Sequence, residues 1–166
     1  MEANSGRWFA VHVRRNAEVS VSAALASKGY EYFLPTRIGK PAGSDGVASA
    51  HEPLFPGYVF CRLDGERKPR VVTTPGVIRI VGYGRVPIAI DDQEIVSLQK
   101  IVRARVPVQA MAGLRAGDSL TVKDGPLSGV VGSFRTVNRR HQLIVSVTLL
   151  GRSVLVELEP EWVRVQ

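Results

Sequence analysis

The sequence predicts an α+β fold, an N-terminal antiparallel sheet flanked by helices and then a small C-terminal β-barrel. Three observations carry this expectation. The first hundred residues order as strand, helix, several strands and a second helix, which suits helices layered on a sheet. A stretch holding Pro107 and Gly113 then shows no clear period. Beyond it the apolar period changes to two, in short strands joined by tight turns, the pattern of a barrel. The expected division is a domain over 1–103, a linker over 104–116 and a barrel over 117–166.

Each element has its own warrant. WFAVHVR, Trp8–Arg14, is β-branched and aromatic and reads as a strand. Asn16 then suits a helix cap, Glu18 the positive first turn and Gly29 the stop, with Val21 and Leu25 on one face. YEYFLP, Tyr30–Pro35, reads as a second strand, and the glycine-rich stretch from Ile38 to His51 as an exposed, mobile excursion. PLFPGYVFCRL is a strand entered through a turn; after the charged patch Asp64–Arg70 come strands at Val77–Val81 and Val86–Ile90 around a Gly-Tyr-Gly-Arg turn. Asp91 and Glu94 have capping-box spacing ahead of the stripe Ile95, Leu98, Val102. In the barrel, Leu143, Val145, Val147 and then Val154, Val156, Leu158 alternate about a two-residue loop at Gly151-Arg152.

Charge points to an acidic partner. The chain of 166 residues carries a net +7, spread as +4 over 1–103 and +3 over 104–166. Neither part is a polybasic arm, so weak contact with a nucleic-acid backbone is expected rather than tight base readout. The N-terminus lacks the pattern of a secretory leader and no apolar run is long enough to span a membrane, so the cytoplasm is the expected location.

The residues call for no reaction. A single cysteine, Cys61, and three scattered histidines offer neither a disulfide nor zinc spacing. There is no G-x-S-x-G elbow, H-E-x-x-H pair or Gly-Lys-Ser/Thr phosphate loop. Gly82-Tyr83-Gly84 lacks the third glycine of a dinucleotide fingerprint and precedes a strand. Asp91 and Asp92 read as a helix start, and His12 as a lone strand histidine. No enzyme, cofactor or metal is expected.

The aromatics speak more clearly. Nine of eleven lie before residue 84, leaving Phe134 and Trp162 in the barrel, too few for a base-stacking platform. The barrel therefore reads as a protein-binding module. In EPLFPGYVF, Glu52 to Phe60, a turn is packed with rings where polar residues are usual. Alternation puts Tyr58 and Phe60 on one face of the strand and Val59 and Cys61 on the other. If Val59 and Cys61 face the core, the two rings form an outward binding patch; spacing alone equally allows all of them to be core.

Taken together, RWFAVHV, FPGYVF, TTPGVIRIVG, GDSLTVKDGPLSGVVGSFRTV and LLGRSVLVEL resemble the NusG-type transcription elongation factors, an NGN domain joined to an SH3-like KOW barrel. The resemblance runs from about Arg7 to Val165. It implies binding to the clamp helices of RNA polymerase through Phe55, Tyr58 and Phe60, a second polymerase contact around Arg67 and Lys68, and weak contact of Arg14 and Arg15 with upstream or nontemplate DNA. It further implies suppression of pausing or termination, and recruitment by the barrel of a ribosomal protein or a termination factor. Glu-Pro-Leu before Phe55 is similar to the specialised RfaH-like antiterminators, but Ser20, Ala24 and Ser27 stand where that relative has basic and histidine side chains. The valines of the barrel strands favour a permanently β state. The alternative kept beside this is a ribosome- or RNA-associated KOW protein.

Overall fold

The computed structural model describes residues 6–38, 51–64, 68–113 and 119–162. The chain forms two compact units, one from Met1–Leu34 and Phe55–Asp92, the other from Pro35–Leu54 and Gln93–Gln166.

The first unit is built on a four-stranded antiparallel sheet in the order β2-β5-β1-β6, with β1 at Arg7–Val13, β2 at Glu31–Phe33, β5 at Tyr58–Leu63 and β6 at Val77–Ile80. On one face Phe9, Val11 and Val13 of β1 join Val59, Cys61 and Leu63 of β5, covered by Val21 and Leu25 of helix α1, Glu18–Ser27, together with Tyr30 and Val71. Burying each such side chain contributes about 1.5–3 kcal/mol. The other face of β1 is also closed, because Trp8 and Ala10 are buried. A strand covered on both sides reads as a continuous apolar run, which is why WFAV shows no alternation.

Helix α1 begins differently from the expectation. Asn16 does not cap it; Ala17 holds the cap position without a side-chain bond, and Asn16 takes a left-handed turn at φ 64°. The stop is as expected. Gly29 N–H donates to the Ala26 carbonyl and Tyr30 N–H to that of Leu25, the paired bonds that close a helix on a left-handed residue. From the end of the expected charged patch, Lys68–Val72 forms a short helix, α2. A hairpin of β7, Gly82–Tyr83, and β8, Val86–Pro87, follows.

The second unit holds a five-stranded sheet in the order β10-β11-β12-β13-β9: β9 at Val108–Ala112, β10 at Ser119–Thr121, β11 at Val131–Val137, β12 at Arg140–Val147 and β13 at Arg152–Leu158. Val122, Leu127, Val130, Leu143, Val145, Val147, Val154 and Val156 are buried. Gly132 is required by close approach, since a Cβ there would stand 2.6 Å from the Ile144 carbonyl oxygen. Two features differ from the sequence reading. The segment expected as linker contains β9, which pairs with β13 from Val108↔Val156 to Ala112↔Arg152. The loop after β12 is longer than two residues, because a 3-10 turn at Thr148–Leu150 precedes Gly151.

Helix α3, Asp92–Ala104, lies along this barrel through polar side chains one turn apart. The Glu94 carboxylate accepts from Thr148 N–H at 3.0 Å and Thr148 Oγ1 at 2.8 Å, Ser97 Oγ accepts from Val131 N–H at 3.2 Å, and Lys100 Nζ donates to the Ser128 carbonyl at 3.4 Å. The same unit carries β3, Thr36–Ile38, paired with β4, His51–Pro53, and the Arg37–Glu52 ion pair at 3.3 Å. These strands hold the two ends of the expected excursion; residues 39–50 lie outside the described residues.

Candidate functional site

The FPGY turn is fixed from two directions. Val13 N–H, at the end of β1, donates to the Gly57 carbonyl at 2.9 Å, and Gly57 N–H donates to Glu18 Oε1 at 2.9 Å. Gly57 has φ +89°, a conformation strained for any residue with a side chain. Glu18 is only 6% exposed, so its carboxylate leaves water and takes a backbone donor in exchange. By its position Glu18 reads only as a helix-dipole residue; nothing along the chain points to a partner 39 residues away.

This turn launches β5 with its rings. Phe55 meets Phe60 edge-on at 5.7 Å, and Phe60 stacks on Phe33 at 6.1 Å. Phe55 is 1% exposed and Phe60 0%, so the expectation of an outward pair is corrected: Phe60 is buried together with Val59 and Cys61. The physical reason is that the rings of Phe55 and Phe33 cover Phe60, so at this point of β5 both faces are closed and alternation no longer separates core from solvent. Tyr58 is different. It is half-buried and stacks on His12, with ring centroids 5.2 Å apart and planes at 24°. Sequence reasoning passed over His12, although aligning WFAVHV against YVFCRL in antiparallel register sets it opposite Tyr58.

Arg14 and Arg15 are exposed in the turn between β1 and α1, where Arg14 N–H donates to the Gly76 carbonyl at 2.8 Å and so sets this turn beside the TTPG loop. Lys68 is the first residue of α2, and Arg67 lies outside the described residues. Cys61 is buried, and burial, reinforced by the charge of Glu31, pushes its thiol from 9.0 up to about 12. It stays a neutral, unreactive thiol at ordinary pH. Among the described residues no group of three or more His, Cys, Asp or Glu is arranged to hold a metal ion, and no helix is long and apolar enough to cross a membrane.

A rigid turn, a half-buried ring pair and flanking exposed cations make a surface suited to binding another macromolecule. Comparisons with known proteins place the chain among transcription factors. Residues 6–99 match the family described as transcription termination factor NusG. The transcription termination/antitermination protein NusG of Deinococcus radiodurans is 30% identical over 92% of this chain and 95% of its own length. That of Campylobacter jejuni is 24% identical over 92% and 93%, and that of Streptomyces virginiae 25% identical, where the chain spans 61% of the relative. A solved structure titled as domain interaction in Thermotoga maritima NusG aligns with 95% of this chain and 96% of its own, at a TM-score of 0.55 and 24% identity, and supports the fold. The chain belongs to the NusG family of transcription termination and antitermination factors.

Proposed function

We propose that this protein is a transcription elongation and antitermination factor that binds the clamp helices of RNA polymerase through its N-terminal domain, bridges the DNA cleft and suppresses pausing or termination. The single observation that supports this reading is Tyr58, the one ring of the FPGY motif that keeps solvent-accessible surface, on a turn held by Glu18 and Val13. Phe55 and Phe60 then act as a buried base beneath the contact, their rings packed on each other. Arg67 and Lys68 supply the opposite polymerase contact and the exposed Arg14 and Arg15 a weak contact with upstream or nontemplate DNA. The barrel recruits a protein partner, a ribosomal protein or a termination factor.

Pull-down of RNA polymerase from the host tests the reading. Tyr58→Ala removes a central aromatic anchor and weakens binding by about 2 kcal/mol or more while the circular dichroism spectrum stays unchanged. Undiminished capture by the folded variant would refute it.

A further inference from the structure

Arg37 faces Glu52 and Arg62 faces Glu31 across antiparallel strands, and both form ion pairs, at 3.3 and 3.5 Å. Arg135 of β11 faces Gln142 of β12 in the same way, and its Nε donates to Gln142 Oε1 at 2.7 Å. The partner here is neutral. An amide oxygen orients the guanidinium as a carboxylate would, yet leaves its charge whole and its other N–H donors open to an anion.

Two more cations sit at the end of this hairpin. Asn138 and Arg139 form its two-residue loop, with φ 50° and 66°. Left-handed geometry at both loop positions favours asparagine and glycine, so Asn138 conforms and Arg139 does not. Glycine would fit that backbone with less strain; what the arginine adds is an exposed charged side chain. Arg140 pairs with Glu157 at 3.1 Å, but its side chain is 70% exposed and water screens the pair. Among the described residues neither Arg135 nor Arg139 forms an ion pair. By register Arg135, Arg140 and Gln142 share a face, while Phe134 and Leu143 turn the other way. The rows of Arg135 and Arg140 lie two residues apart along the strands, about 7 Å, comparable with the step between successive phosphates of an extended nucleic-acid strand.

The rings of the barrel offer bases little. Phe134 and His141 are half-buried and stack on each other at 5.5 Å, and Trp162 packs against Gly125. A base platform needs bare ring faces, whereas arginines without one hold phosphates and read no sequence. We infer that the β11–β12 hairpin binds the phosphate backbone of a nucleic-acid strand through Arg135, Arg139 and Arg140, with Gln142 as the positioning residue of Arg135. This surface is additional to the protein partner proposed for the barrel and does not rest on the polymerase reading.

The test measures affinity of the full chain for single-stranded RNA and DNA oligonucleotides of mixed sequence across a salt series. Each phosphate contact contributes about 0.7 to the slope of log affinity against log salt, which is about fivefold at 0.1 M. Arg139→Gly should weaken binding by about that factor without lowering the melting temperature, a combination that a merely structural arginine would not give. Gln142→Glu should weaken it as much as Arg135→Ala, because the bond is kept and the charge cancelled, and Glu157→Gln should tighten it by freeing Arg140. Arg103→Ala, the loss of an exposed cation on α3, should leave affinity unchanged. A loss confined to RNA or to DNA upholds the inference and identifies the strand. Equal losses from Arg139→Gly and Arg103→Ala would reveal diffuse attraction to net charge and overturn it. So would competition by poly-glutamate as strong as by RNA of matched charge, which would assign the hairpin to an acidic protein.

Discussion

Helices α1 and α3 use the same device in two settings. Each carries a glutamate in its first turn whose carboxylate takes the backbone N–H of a distant turn, Gly57 for Glu18 and Thr148 for Glu94. In α1 the carboxylate is buried and accepts from the N–H of a glycine whose left-handed geometry the bond helps to hold. In α3 the carboxylate is only partly buried and takes both the N–H and the hydroxyl of Thr148, the first residue of a 3-10 turn. Bond number and importance therefore separate. Removing the buried Glu18 acceptor strands a part-buried donor that water reaches poorly, whereas the exposed Thr148 donor is satisfied by solvent.

The largest effect is expected at Glu18. Glu18→Ala should cost about 2 kcal/mol of stability in urea denaturation, with Glu18→Gln, which keeps an acceptor oxygen, costing less than half of that. Amide exchange should quicken at Gly57 and not at Thr148. Glu94→Ala should cost about 1 kcal/mol, with the reverse pattern of exchange. An equal loss from both alanine variants would show that burial does not set the difference.

Cys61 sharpens the contrast without perturbing it. It lies in the same core cluster as Val21 and Leu25 of α1, so its alkylation reports opening of the first unit. The folded parent should resist iodoacetamide at pH 8; Glu18→Ala should react faster, and Glu94→Ala should match the parent. The smallest effect is on pH. A folded-state thiol raised from 9.0 to about 12 stabilises the fold fully below pH 9, and this contribution is lost progressively as pH rises from 9 towards 12. Replacing Cys61 by Ala should flatten that part of the stability profile, measured by thermal melting between pH 8 and 11.

Much of the architecture was legible because it is written in local pattern. The β1 strand, the stop at Gly29, the 77–80 strand and the paired β12 and β13 follow from residue type and spacing. The misreadings share a cause. Asn16 is a good cap by type, yet the chain turns at that residue and starts the helix after it. Pro107 and Gly113 flank β9, and turn residues at both ends of a short strand look like a linker until a partner strand is known. In the candidate site, Arg14, Arg15 and Tyr58 keep exposed surface as a binding role requires, while Phe55 and Phe60 do not.

The sequence by itself determined where strands, turns and helix ends fall and which motifs join into a NusG-family chain, since these depend on neighbours a few residues apart. The tertiary structure alone decided that Phe60 is covered on the side it shares with Tyr58, that His12 stacks on Tyr58, and that two first-turn glutamates hold turns 39 and 54 residues away. Burial and long-range hydrogen bonds depend on which distant segments come to lie alongside, and no window of local periodicity contains that information.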